Sequence, residues 1–443
     1  MTGRTIVVGG GLSGLTAAFR LSRAGADVVL LEATGRAGGV MRTEERKGYL
    51  LEAGPNTVRF TAPLQDLIEE LGLRDETLLA NPGMPRYIDF DGKLHELPAT
   101  PLSLAGTRLL SAAGKLRLLT EPFRRSGPGG DESVRDFVAR RLGPEVADRL
   151  AEPFIAGIFA GDASELSASA IFPALVEWER KRGSLLAGAF AQLREARSSP
   201  SRPRPRGLLT FRRGLETLPR ALARSLGRSF RPGSPVRAVV HEGGRWIVET
   251  DTERLEAQRL ILATPAWAAA PLVAPFAPDA AAALESIPHP PLAVLHLSWP
   301  AAALRRPLQG FGHLVVPAES RRILGAVWSS SLFPGRAPDG RILLTVFLGG
   351  TRDPAAPELE TSELLSIAGR DLFAEGLVRG EPELVLLTRW QRAIPQYTRG
   401  HAGRMRALAD AEARWPGLRF AANYRGGVSV GDVVAGGFAA ASA

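Results

Sequence analysis

The chain opens on a short apolar run at residues 5–8, an apolar-periodic stretch over 12–24 and a second apolar run at 27–31. Runs of this length, bounded by glycine and joined by a helical period, predict a buried strand, a helix and a second strand: a βαβ unit. Residues 102–197 turn helical, with breaks at 127–130, 143–144 and 161. Residues 197–206, rich in Ser, Pro and Arg, read as a linker. Strand patterns then return. Runs 236–240 and 245–250 flank Gly243-Gly244 as a hairpin, and 259–263 forms a strand leading into Thr264-Pro265. Further runs at 293–298, 310–316, 323–329 and 341–349 predict a second, mixed sheet. No period of 20–50 residues recurs, which argues against a solenoid or propeller. The pattern predicts an α/β chain of interleaved domains.

Composition narrows this. The 443 residues are 45% hydrophobic and 23% charged, ordinary for a globular chain of two or three domains. The absence of cysteine rules out disulfides, thiolate metal sites, cysteine nucleophiles and thioether-linked cofactors. The net charge is +9, but residues 179–213 alone carry ten Lys or Arg against two Glu, so the basicity is local. Neither zinc spacing nor a helix-turn-helix pattern nor a basic aromatic stripe is present, so no nucleic-acid partner is expected. His313 and His401 have no partner at ligand spacing, and no metal site is expected. The longest apolar stretch, 260–276, is broken by Pro265, Pro271 and Pro275, which disfavours a spanning helix. With a strand beginning at Thr5, no secretory signal is expected to precede it, and a cytoplasmic location follows.

The loop between the first strand and helix reads Gly9-Gly10-Gly11-Leu12-Ser13-Gly14. It carries G-x-G-x-x-G where a dinucleotide fingerprint requires it: Gly9 for the tight turn, Gly11 for backbone approach to a pyrophosphate, Gly14 for close helix–strand packing. Glu32 ends the second strand, placed to accept hydrogen bonds from ribose hydroxyls.

The following run, Glu32-Ala33-Thr34-Gly35-Arg36-Ala37-Gly38-Gly39, resembles the E-A-x-x-R-x-G-G extension of the flavin amine oxidase superfamily. That resemblance implies FAD, held non-covalently, with Ala33, Arg36, Gly38, Gly39 and Val40 near its pyrophosphate. The run 423–432, Asn-Tyr-Arg-Gly-Gly-Val-Ser-Val-Gly-Asp, resembles the superfamily's second flavin-contacting segment. It implies that Val428, Ser429, Val430 and a helix N-terminus face the isoalloxazine ring. By the same resemblance Val236 clamps the adenine, and Trp390 and Tyr397 lie near the ring, although Trp390 reads equally as core.

Segments spread over nearly the whole chain resemble oxygen-dependent protoporphyrinogen oxidases. They are Glu52-Ala53-Gly54-Pro55-Asn56-Thr57, Gly157-Ile158-Phe159-Ala160-Gly161-Asp162, Gly310-Phe311-Gly312-His313-Leu314-Val315-Val316-Pro317, and Ile394-Pro395-Gln396-Tyr397 with Gly400-His401. The resemblance implies three hydride transfers from a porphyrinogen to flavin N5, with oxygen as acceptor, and no catalytic acid or base of the protein. Gly54, Pro55, Asn56 and Thr57 join the FAD site. Arg86 pairs with a substrate propionate, Phe311 and Leu314 line one side of the macrocycle, Val327 and Phe347 the other, and the Gly157 carbonyl lies near the pyrrole nitrogens. Read without the family, Arg86 is a solvated arginine and the apolar four are strand core. The expected division is an FAD-binding domain of 1–82, 207–267 and 386–443, a substrate domain of 83–97 and 268–385, and a helical domain of 98–196. The family further implies a peripheral membrane contact through the helical domain, hand-over of product to a ferrochelatase, and a homodimer. The helix after Asp432 looks short for the family. Two rivals remain: coproporphyrinogen III as substrate, and amine oxidation. The latter usually needs a lysine near N5, and all four lysines, at 47, 93, 115 and 181, lie in the first half of the chain.

Overall fold

The computed structural model describes residues 3–127, 129–198 and 207–442. Strands Thr5–Val8 and Val28–Leu31 are buried along their whole length, which is why they read as unbroken apolar runs and not as alternation: a parallel sheet is covered on both faces. They form a five-stranded parallel sheet in the order Phe230–Arg231, Val28–Leu31, Thr5–Val8, Arg259–Leu262, Leu418–Phe420. The predicted hairpin is a three-stranded antiparallel sheet, because Arg254–Ala257 adds to Val236–Glu242 and Arg245–Thr250.

The second sheet has seven strands, in the order Glu383–Trp390, Leu292–Pro300, Arg341–Gly349, Ile323–Val327, Gly312–Val315, Arg86–Phe90, Lys93–Glu96. It is antiparallel except where Gly312–Val315 runs parallel to Arg86–Phe90, so it is mixed as expected. Two strands are shorter than their apolar runs. One begins at Gly312, leaving Gly310 and Phe311 in the approach; the other stops at Val327, and Ser329–Leu332 turn into a short helix.

Helices from Pro101–Gly106 to Leu185–Ser198 form the insertion, around a core that includes Leu110, Val134, Phe137, Ile155 and Leu166. Glu121 and Arg141 pair inside it, both side chains fully buried. Against its burial, the Leu185 and Leu186 amides and the Ser184 hydroxyl hold the Glu121 carboxyl below the usual range, and these contacts serve the start of the last helix. That helix runs to Ser198, past the expected start of the linker, and residues 199–206 lie outside the described residues.

The C-terminal helix Val430–Ser442 is long enough to lie along the first helix, Leu12–Arg23. Gly437 makes the approach close: a Cβ there would sit 2.6 Å from the Ser13 carbonyl oxygen. Arg20 places its guanidinium 4.2 Å from the Phe438 ring. Among the described residues, no helix is long and apolar enough to cross a membrane.

Candidate active site

The glycine loop has the geometry that its sequence predicts. Gly9 has φ +109°, and a Cβ on Gly14 would strike the Gly9 carbonyl and come within 3.1 Å of Ala263 Cβ, so helix and strand meet closely. The space in front of Gly11 is open to 4 Å. The helix that begins there has neither a side-chain cap nor an acidic residue in its first turn, which leaves donors and the positive end of its dipole for an anion. A dinucleotide diphosphate fits this end.

Glu32 accepts from the Gly10 amide at 2.6 Å and from the Thr34 amide and hydroxyl, each at 2.7 Å. It thus braces the loop while its carboxylate keeps acceptor capacity for a ribose. The Ser234 amide donates to the Glu32 carbonyl at 2.8 Å, which brings Val236 beside it. Gly38 donates to the Gly10 carbonyl at 2.8 Å and so lays the second glycine pair on the first loop. Ala33 and Val40 are exposed. Arg36 turns inward on its own loop, donating to the Met41 carbonyl at 3.2 Å and to that of Gly39, with Glu216 at 3.6 Å.

Residues 54–57 close over this region. A Cβ on Gly54 would meet the Val40 carbonyl, and one on Gly431 would lie 2.8 Å from Thr61 Oγ1, so the segment containing Pro55 and Thr57 abuts the C-terminal helix. Asn56 donates to the Gly54 carbonyl at 3.1 Å, and the Trp390 indole donates to that of Ala53 at 2.9 Å. Glu52, just before them, is locked by Arg336 and the Leu215 amide at 2.9 Å and by the Thr43 hydroxyl at 2.7 Å. At the C-terminal helix, Ser429 and Asp432 cap the first turn between themselves, so that donor is spent; Val428 and Val430 are half-buried beside it. Tyr397 ties the segment down, accepting from Gly427 at 3.1 Å and donating to the Asn423 carbonyl at 2.6 Å.

The predicted substrate residues gather on one face of the seven-stranded sheet. Leu314, Gly325, Phe347 and Val294 are successive cross-strand partners, and Arg86, Gly312, Val327, Thr345 and His296 form the adjacent row. The two walls expected around a macrocycle are therefore one surface: Leu314 and Phe347 stand on the same face, parted by the bare Gly325. Gly157 packs on Leu314 from the helix Glu152–Phe159; a Cβ there would collide with the leucine side chain. Arg86 is exposed, its guanidinium 5.4 Å from the Phe311 ring. Phe311 and Val327 pack with Leu332 and Phe333. Trp390, on the edge strand, and Phe347 both pack on the cluster of Ala156, Ala160, Leu292, Val294 and Leu324.

Two family-motif histidines have local roles. His401 stacks on Tyr397 at 4.1 Å, and His313 accepts from the Trp328 indole at 3.0 Å. Sequence reading passed over His296, which is fully buried on the site-facing row; its signal was a lone histidine in the apolar strand Leu292–Pro300.

The model of flavin containing amine oxidoreductases matches residues 12–443. This chain belongs to that family. It is an FAD-dependent oxidoreductase, and the open glycine-bounded helix end and Glu32 suit that cofactor. The chain is 36% identical to the chloroplastic protoporphyrinogen oxidase of Oryza sativa subsp. japonica, over 99% of this chain and 87% of that one. It is 29% identical to the coproporphyrinogen III oxidase of Bacillus subtilis (strain 168), over 99% and 97%. A crystal structure from Exiguobacterium sp. 255-15, provisionally named protoporphyrinogen oxidase, superposes with a TM-score of 0.81 at 27% identity, over 100% and 98% of the two chains.

Proposed function

We propose that the chain oxidises protoporphyrinogen IX to protoporphyrin IX, removing six electrons in three hydride transfers on the route to haem, with oxygen as acceptor. The observation that carries this reading is the apolar sheet face between Leu314 and Phe347, bare at Gly325, bordered by Trp390 on the edge strand and by the exposed Arg86 on the opposite side. A large flat apolar ring with acidic substituents suits such a surface. The rice relative, a protoporphyrinogen oxidase, supports the same substrate.

When bound, the flavin supplies N5 as hydride acceptor. The chain's own residues bind and orient. The Gly9–Gly14 loop and its helix end, with Gly38 and Gly39, hold the diphosphate, and Arg36 braces that second glycine pair from within its own loop; Glu32 and Ala33 border the ribose and Val236 the adenine. Residues 54–57, Trp390 and Val428 to Val430 surround the ring. Arg86 pairs with a propionate and fixes the register of the macrocycle. Phe311, Leu314, Val327 and Phe347 form its bed and exclude water, with Gly157 above Leu314. Pyrrole protons pass to solvent, so the reading asks for no acid–base dyad.

Leu102, Leu116, Leu119, Phe123, Phe190 and Leu193, all on the helical insertion, are exposed, Phe123 by 88% and Leu102 by 84%. Within this reading they dock the protein on a membrane surface, from which an apolar substrate enters. A homodimer and product transfer to a ferrochelatase extend it further. The Bacillus relative supports the second reading, coproporphyrinogen III as substrate. Porphyrin fluorescence followed in air with the two porphyrinogens side by side tests the choice. Faster turnover of protoporphyrinogen IX is expected; preference for coproporphyrinogen III transfers the assignment, and no turnover of either by the flavin-loaded protein removes it.

A further inference from the structure

His296 is fully buried in the middle of the strand Leu292–Pro300, and neither ring nitrogen has a hydrogen-bond partner in the protein. A buried polar group left unpaired loses its water without replacement, so an imidazole with two such nitrogens calls for a partner. The carbonyls of Glu52 and Leu386 are near enough to favour its protonated form, but neither closes a hydrogen bond.

A cavity of about 10 Å³ adjoins the ring. Its polar lining is His296, Asn56, Thr345, Ser329 and the Glu52–Arg336 pair. About 10–15 Å³ with two to four polar partners is what one water needs. Ser329 and Thr345 already share a bond at 2.8 Å, and Glu52 and Arg336 one at 2.9 Å, whereas Asn56 spends its amide N–H on the Gly54 carbonyl and keeps its oxygen to accept.

The place of this cavity gives it meaning. Val327 and Thr345, which line it, belong to the same sheet row as Arg86, while Asn56 belongs to the segment that closes over the flavin region. We propose that the cavity is a one-water site, and that His296, through this water and Asn56, is a positioning residue that sets residues 54–57 against the substrate face. The site deepens the functional reading above and rests on it for the identity of the substrate.

Positioning, and not proton transfer, is the role assigned to His296. Burial pushes its imidazole down to about 4, far from the operating pH at which a base works best. It serves as a neutral ring with one donor and one acceptor, which glutamine reproduces and leucine does not.

The test uses the flavin-loaded full chain with His296→Gln and His296→Leu. In the absence of substrate, His296→Leu is expected to shift the visible flavin band and the midpoint potential, and His296→Gln to restore both. With porphyrinogen, His296→Leu is expected to lower kcat roughly tenfold with KM little changed, in keeping with a lost water-bridged contact, and His296→Gln to recover most of it. The pH profile between 6 and 8 is expected to be the same in wild type and His296→Gln. If both variants lose activity alike and the profile loses a limb, His296 is a base and the proposal is overturned. If His296→Leu melts early yet leaves the flavin band, the potential and kcat of the folded fraction unchanged, the role is packing alone and the proposal is again overturned. Were porphyrinogens not the substrate, wild type and variants alike would fail to turn over, and the substrate-free flavin readouts would still decide. An ordered water within hydrogen-bond distance of His296 and Asn56 in a high-resolution crystal structure supports the site, and density without one overturns it.

Discussion

On one face of the seven-stranded sheet His313 lies between the Trp328 indole, 3.0 Å from Nδ1, and Glu375, 3.0 Å from Nε2, with Asp89 and Arg321 paired at 3.2 Å nearby. On the other face His296 has no protein partner, and the row beside it carries bare glycine and apolar side chains. Both histidines are buried. The Trp328 donor requires an unprotonated Nδ1, which puts the His313 proton on Nε2 facing Glu375; this contact and Asp89–Arg321 lie within ion-pair distance without closing hydrogen bonds, so the polar groups of this face sit against each other. The other pairs Ser329 with Thr345 and Glu52 with Arg336 and leaves the His296 ring over.

Four variants, the last a double substitution, sharpen that contrast. The largest effect on stability belongs to Glu375→Leu, which leaves His313 Nε2 without its neighbour while relieving the repulsion on Asp89; a net loss of about 1–3 kcal/mol in urea unfolding is expected, with turnover of the folded fraction little changed. On the opposite face, Arg86→Ala should leave the melting curve in place and cost about 1.5–3 kcal/mol of transition-state binding, a ten- to hundredfold fall in kcat/KM, since it removes one charge-assisted contact at an exposed position. Equal losses of stability from both would erase the distinction.

The third concerns pH. Burial, with the Glu375 and Glu319 carboxylates, raises Asp89 to about 6 against Arg321 and His313, well above the 3.8 of a free aspartate. The native state therefore binds this proton more tightly than the unfolded chain does. The group's stabilising contribution is complete below pH 4 or so, and falls as pH rises to about 6. Asp89→Asn should flatten that slope in urea melts taken between those limits. The smallest effect on stability is expected on neither face: Phe123→Ser with Phe190→Ser should shift unfolding by no more than about 0.5 kcal/mol, while binding to lipid vesicles in a sedimentation assay falls.

Much of the cofactor side was legible because its signals are local. Gly9, Gly11, Gly14 and Glu32 fall within one βαβ unit, and the conformations they require depend on near neighbours. The substrate side depends on pairings that no short window contains. Arg86 reaches Gly312 through a parallel register, and Glu52 meets Arg336 across 284 residues. That register is what turned two expected walls into one face. The inward turn of Arg36 and the mutual capping of Ser429 and Asp432 also lay beyond the motif, which names residues but not which donors their neighbours consume. How the C-terminal helix packs was likewise not legible, because it rests on Gly437 coming down onto Ser13 from the other end of the sequence.

That last contact has a consequence for synthesis. The first helix leaves the ribosome with the glycine loop well before the surface against which it packs, since Val430–Ser442 follows it far along the chain. Until Gly437 arrives, the nucleotide end of the site lacks its lateral support, and a nascent chain has a loop without a wall. Nonsense or frameshift lesions that remove residues 430–442 should thus leave a polypeptide rich in native strands yet colourless, poor in flavin and open to proteases along its first helix.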